Sequence, residues 1–320
     1  MTRTLVLSAT HAGLSQAADL LRQGALVAMP TETVYGLAGD ARSDMAVARI
    51  FAAKNRPRFN PLIVHLASLG QVRAIAHLTP LAERLARAFW PGPLTLVLPL
   101  AAGAGLSPLV TAGLDTVAIR LPAHPVARAL LTRFGGPVAA PSANPSGRIS
   151  PVTVAHVLAG LDGRIDAIVD GGDCPVGLES TILDATGTVP RLLREGGLPR
   201  EAIEAVTGES LVTDPAPADR IAAPGQLPSH YAPRGAVRLE VRKPDPDEIW
   251  IGFGAACPGT NNLTLSETAD LTEAAARLFH LLHRADALAG DGGRIAVAPI
   301  PDIGLGRAIN DRLRRAAAPR

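Results

Sequence analysis

Aromatic side chains are scarce: Phe, Trp and Tyr together make up 3% of the 320 residues. The hydrophobic content of 47% must therefore be met by Ala, Val, Leu and Ile. So few aromatics also leave little for base stacking, which argues against a module that binds single-stranded RNA. No excess of one charge exists, because the formal net charge is only +2; electrostatic recognition must be local. Two cysteines, Cys174 and Cys257, make neither a disulfide framework nor a zinc ligand set, and they fit a reducing compartment. No uninterrupted apolar run reaches the ~18 residues of a membrane span, and the N-terminal run is short for a signal peptide. A soluble cytoplasmic protein is the expectation. GxxxxGK[ST], GxSxG, HExxH and CxxC are all missing, so any nucleotide site is not a P-loop. Lysine itself is nearly absent, with Lys54 and Lys243 standing against 29 arginines.

What is present reads as α/β. Residues 14–23 predict a helix closed by Gly24 and followed by a buried strand, ALVAM. Ser43 is placed to cap a helix ending at Lys54, and Thr79–Pro80 to open another. Further helices are expected at 124–134 and 151–160, the latter with Ser150–Pro151 as cap and first turn. PLIVHLA, TVAIRLP, GPVAAPS, AIVDGG, STILDAT and PRLLREGG read as strands. Several connections are too short for helical crossovers, so the sheet is expected to be mixed. This unit ends near residue 208. A Pro-rich stretch at 209–234 reads as an extended linker. Residues 235–320 regain an α/β pattern with a long helix at 271–289, and a parallel sheet is expected there.

FAAKNRPRFNPLIVH, residues 51–65, places Lys54, Arg56 and Arg58 on a helix end and a proline-stiffened loop. A cation at a helix C-terminus is favoured by the macrodipole, which accounts for Lys54 but not for two guanidinia after it. Three clustered cations repel unless an anion neutralises them, and phosphate suits an arginine fork beside a lysine point charge. From this stretch alone, a polyphosphate ligand, an RNA backbone and a solvated loop all stay open. PTETVYGL, APSANPSGRISP, GLESTI and LLREGG add small hydroxyls, Asn144 and Arg194 at strand exits, where α/β folds gather ligands. GFGAAC (252–257) lacks the third glycine of a dinucleotide loop and reads as a turn. His280 and His283 share a helix face at i, i+3, and a solvated face is favoured over a metal pair.

Taken in order, PTETVYGL, KNRPRFNPLIVH, FWPGPLTLVL, AGLDTVAIRLPAHP, APSANPSGRISP, GLESTI and LLREGG resemble the YrdC/Sua5 family of threonylcarbamoyl-AMP synthases. APGQLPSHYAP and the domain behind it resemble the longer, two-domain Sua5 form. The resemblance implies a YrdC-like open twisted α/β sheet with a basic concave cleft at 1–208. It implies a linker or lid at 209–234 and a smaller Rossmann-like α/β domain at 235–320. It further implies a nucleotidyltransferase that joins L-threonine, bicarbonate and ATP, with Mg²⁺, into threonylcarbamoyl-AMP and pyrophosphate for the t6A modification of tRNA. Handover to the t6A transferase machinery is expected, without stable nucleic-acid or membrane binding.

The family's KxR…SxN signature falls on Lys54, Arg56, Ser142 and Asn144, with Lys54 and Arg56 as catalytic residues. Arg58, Thr116, Ser150, Arg194 and Tyr231 complete the implied ATP set. Thr31, His65, Arg120, Ala140 and Ser180 resemble the amino-acid contacts, with Arg120 as the carboxylate clamp. The resemblance also has the linker fold back so that His230 and Tyr231 reach the pocket. An RNA-binding module would show affinity for RNA that falls steeply with salt, and a carbamoyl-transfer relative with another acceptor would be told apart by the dependence of turnover on threonine.

Overall fold

The computed structural model describes residues 3–213, 230–255 and 263–319. The chain begins with β1 (Leu5–Ser8), α1 (His11–Arg22), β2 (Val27–Met29), β3 (Gly36–Asp40), α2 (Asp44–Lys54), β4 (Ile63–His65), α3 (Leu69–Ile75) and α4 (Pro80–Phe89). Then follow β5 (Leu94–Pro99), α5 (Pro108–Thr111), β6 (Thr116–Arg120), α6 (Pro125–Phe134), β7 (Val138–Ala139) and α7 (Val154–Leu161). After these come β8 (Ala167–Asp170), β9 (Thr181–Asp184), β10 (Arg191–Arg194) and α8 (Arg200–Thr207). The rest is β11 (Ala236–Arg238), β12 (Glu248–Gly252), β13 (Leu263–Thr264), α9 (Leu271–Ala289), β14 (Arg294–Val297) and α10 (Leu305–Ala317).

Ten strands form one sheet in the order β1-β8-β2-β3-β7-β4-β6-β5-β9-β10. It is mixed, as the short connections require: β4 pairs parallel with β6, while β3 and β4 both pair antiparallel with β7. The four remaining strands, β11-β14-β12-β13, pair in parallel throughout. One contiguous apolar cluster runs from Val64 and Leu96 through Ile149 and Leu178 to Phe279 and Leu313. Helices α9 and α10 are thereby packed into the same core as the large sheet.

Local signals placed most helices. Ser43 and Thr79 cap α2 and α4 by accepting from the N–H groups of Ala46 and Ala82. Helix α1 starts at His11 instead of Leu14, because the Thr10 hydroxyl accepts from Gly13 N. One expectation is overturned. The cap of α7 is Thr153, whose hydroxyl accepts from His156 N, and Ser150 is withdrawn into the interior at 0% exposure. Residues 214–229 of the linker at 209–234 lie outside the described residues, as do Cys257 and the end of GFGAAC. No helix among the described residues is long and apolar enough to cross a membrane.

Candidate active site

The strand exits singled out in the sequence meet at one place. His65 and Arg120 are register partners at the ends of the parallel pair β4 and β6. Ala140, just past β7, donates its N–H to Ile63 O. Residues 179–180 lead into β9, and residues 31–35 lead into β3. Gly196 lets the LLREGG turn close on this region, since a Cβ there would stand 2.3 Å from Thr181 N. Together they wall a partly open cavity of about 50 Å³.

At one end of the cavity are Arg56 and Arg194. Arg56 is buried, and its Nε and Nη2 donate to Asn60 O (3.3 Å) and Pro61 O (3.0 Å). Burial, and then the charge of Arg194, push its pKa down to about 10. Arg194 Nη2 donates to Ser180 O at 2.8 Å and reaches Ser180 Oγ at 3.3 Å. Lys54, 1% exposed, does not face the cavity. Its ammonium donates to the carbonyls of Ser142 and Asn144, while Lys54 O accepts from Ser146 N at 2.7 Å. It therefore staples the SxN loop onto the end of α2. Burial and then Arg56 hold its pKa well below the ordinary lysine value.

At the other end are Thr31, Thr33, His65 and Arg120. Arg120 Nη2 stands 2.6 Å from Glu32 Oε1, a buried ion pair. Its other nitrogens donate to Gly92 O (3.2 Å) and Thr33 Oγ1 (2.8 Å). Burial raises the Glu32 pKa, but Arg120 and nearby backbone N–H groups hold it below the ordinary value. His65 Nδ1 lies 3.3 Å from Ile63 O; that bond puts the proton on Nδ1 and leaves Nε2 an acceptor. Burial, and next Arg120, push His65 down to about 3, so the ring is neutral at physiological pH.

The third wall arrives from the C-terminal part of the chain. His230 and Tyr231 line the cavity, and Tyr231 adopts φ +60, a conformation a bulky residue seldom takes. Beneath them the carboxylate of Glu179 accepts from Ser150 Oγ (2.5 Å) and from Arg312 Nε of α10 (2.9 Å). His283 Nε2 meets Ser150 O at 3.1 Å, and its ring stacks on His156 with centroids 3.8 Å apart. His283 thus joins a seam between α9 and α7, while His280 stays exposed at its edge. Among the described residues no group of three or more His, Cys, Asp or Glu could hold a metal ion.

Of the residues expected from the sequence, Thr31, Arg56, His65, Arg120, Ala140, Ser142, Ser180, Arg194 and Tyr231 line this one cavity. Lys54 and Ser150 stand behind it. Asn144 donates to Arg148 O at 2.8 Å and opens onto a neighbouring cavity. Arg58 is exposed and Thr116 begins β6; neither lines the cavity. Thr33, Glu179 and Arg312 were not expected. Arg312 alone carried a signal: it sits among Ala308, Ile309, Leu313 and Ala316, on the apolar stripe of its helix.

The model of the Sua5/YciO/YrdC family, described as telomere recombination, matches residues 19–196. The model of the C-terminal domain of threonylcarbamoyl-AMP synthase matches residues 198–318. The threonylcarbamoyl-AMP synthase of Bacillus subtilis is 42% identical, covering 98% of this chain and 95% of its own. That of Pyrococcus abyssi is also 42% identical, covering 94% and 93%. The crystal structure of P. abyssi Sua5 complexed with L-threonine superposes with a TM-score of 0.89 at 39% identity, over 98% of both chains. The chain belongs to the Sua5/YciO/YrdC family and carries, behind that domain, the C-terminal domain of the threonylcarbamoyl-AMP synthases.

Proposed function

We propose that this chain is an L-threonylcarbamoyladenylate synthase, with residues 1–208 as its catalytic domain. The observation that carries the reading is the pairing inside one recess of two buried arginines, Arg56 and Arg194, with a polar end built from Thr31, His65 and Arg120. Buried like charges are costly, and an anion is what relieves them. A triphosphate suits the first end and an amino acid the second.

In the reaction, the threonine amine and bicarbonate condense to an N-carboxylate with loss of water. A carboxylate oxygen then attacks the α-phosphorus of ATP, and pyrophosphate leaves. The protein's part is positioning and charge neutralisation. Arg56 and Arg194 bind phosphate oxygens and stabilise the leaving pyrophosphate. Lys54 acts by holding Ser142 and Asn144 in place for the nucleotide. Mg²⁺ enters on the triphosphate as part of the substrate, because Glu179 at the cavity and Glu32 behind Arg120 are each tied to an arginine. Arg120 lines the cavity with its charge shared with Glu32, and its guanidinium takes a threonine carboxylate oxygen. The acceptor Nε2 of His65 takes a donor, the hydroxyl or the amine. A hydrogen-bonded hydroxyl gives strong discrimination against valine.

A volume of about 50 Å³ is well short of the roughly 300–1,000 Å³ of small-molecule sites. Tyr231 and His230 therefore withdraw to admit ATP and return over the intermediate, the lid role proposed for 209–234. The product then passes to the t6A machinery acting on tRNA in the cytoplasm. With purified chain, ATP, Mg²⁺ and bicarbonate, pyrophosphate should appear only when L-threonine is added. Release indifferent to the amino acid would defeat the reading.

A further inference from the structure

We propose that Arg312, on the C-terminal helix α10, is a positioning residue for the nucleotide half of this active site. The inference rests on the adenylation reading and assigns to the second domain a part in it. Arg312 is 0% exposed although it belongs to the helix farthest along the chain from the signature residues. Its Nε lies 2.9 Å from Glu179 Oε2, and the other oxygen of that carboxylate takes the Ser150 hydroxyl at 2.5 Å. Its guanidinium carbon stands 5.3 Å from the centroid of the Tyr231 ring, close enough for a cation–π contact. One turn on, Arg315 O accepts the N–H of His230 at 3.2 Å. A single helix end therefore fixes three separate pieces of the cavity wall: the loop at Ser150, the strand entry at Glu179 and the closing pair His230–Tyr231.

Stability alone does not explain this arrangement. A buried ion pair returns little net stability, because both ions are stripped of water. Here the guanidinium also keeps one nitrogen, Nη2, buried without a hydrogen-bond acceptor among the described residues, which is a further cost. What the pair supplies is geometry. With one oxygen on Arg312 and the other on Ser150, the Glu179 carboxylate is held in one plane and one rotamer. Burial works against its charge, and Arg312 and Arg194 are the two arginines that oppose this. Without Arg312, Glu179 is left to Arg194, and the phosphate end of the cavity loses positive charge to an internal partner. Arg312 thus keeps Glu179 neutralised from behind, so that the field of Arg194 is directed at the ligand.

The test uses the full chain and steady-state pyrophosphate release, with ATP and threonine varied separately. In Arg312→Lys the charge stays, but the planar fork that reaches Glu179 through Nε and Asp311 through Nη1 is lost. The KM for ATP should rise by about tenfold to a hundredfold, the scale of small misplacements in a site, while the KM for threonine stays within about twofold. Arg312→Met should raise the ATP KM further, and adding Glu179→Gln to it should recover part of the loss by removing the uncompensated carboxylate. ATP and threonine KM rising in proportion, or neither moving in Arg312→Lys, would overturn the proposal and leave Arg312 a structural residue. A Met variant that fails to fold leaves the Lys variant to decide. Wild-type chain that releases no threonine-dependent pyrophosphate would instead overturn the adenylation reading beneath it.

Discussion

The two ends of the cavity handle buried charge in opposite ways. At the amino-acid end Arg120 faces Glu32, a carboxylate of its own chain, at 2.6 Å. At the nucleotide end Lys54 and Arg56 meet carbonyl oxygens: Ser142 and Asn144 for the lysine, Asn60 and Pro61 for the arginine. A carbonyl satisfies a donor but does not cancel a charge. The first end is close to neutral before anything binds, and suits a zwitterion such as an amino acid. The second holds net positive charge that a polyanion completes.

The largest effect expected from this contrast is at Arg56. Arg56→Ala should lower kcat/KM about a thousandfold, on the order of 4 kcal/mol of transition-state stabilisation. Its stability should fall by less than that of Glu32→Gln below, because the hydrogen bonds lost at Asn60 O and Pro61 O are offset in part by removal of a buried repulsion. A fully active variant destabilised as much as Glu32→Gln would erase the difference between the ends.

Glu32→Gln makes the converse break. It strips the partner from a 4% exposed arginine, and chemical denaturation should report a loss of about 3 kcal/mol, as for other broken buried pairs. The KM for threonine should rise more than that for ATP. Unchanged stability would mean that Arg120 does not depend on Glu32.

Lys54→Ala should lie between structure and catalysis. Two buried carbonyls lose their shared donor, which costs about 2 kcal/mol in denaturant titrations. The ATP KM should rise as the loop at 142–146 loosens. A fully stable Lys54→Ala chain would show that the ammonium serves the ligand and not the loop.

A further effect is spread over the seams and shows only with pH. His65, His156 and His230 are each pushed down to about 3, and His283 to about 4, burial being the main cause in every case. Their folded values lie below the unfolded value of 6.5, so the unfolded chain binds more protons as pH falls. The stability they contribute is complete above 6.5 and is lost as pH falls from there toward 4 and 3. Denaturation midpoints should be flat between about pH 8 and 7 and fall between about pH 6.5 and 5, where carboxylates still titrate little. A flat profile down to pH 5 would show that these rings are hydrated.

Much of this was legible because it is local. Ser43 and Thr79 announced their helices, since a cap is decided within four residues. The long helix was read as 271–289, the span it occupies, and the mixed character of the large sheet followed from short connections. The site residues at strand exits came partly from position and partly from family likeness. What escaped was set by partners distant in sequence. Ser150 read as a cap because nothing nearby shows that Glu179 will take its hydroxyl. Lys54 read as facing a ligand because the sequence names a charge but not its direction. His283 read as solvated because Ser150 and His156, its neighbours, come from another domain. Arg312 could have been questioned, since a charge on an apolar stripe needs a partner somewhere.

The most direct measurement is a crystal structure of the full chain with a non-hydrolysable ATP analogue and L-threonine. The triphosphate should lie against Arg56 and Arg194, with Tyr231 moved from its present place, and the threonine carboxylate should rest on Arg120 near His65. Phosphates bound at the Arg120–Glu32 end, or a nucleotide held outside the cavity with Arg56 and Arg194 untouched, would contradict the assignment of the two ends.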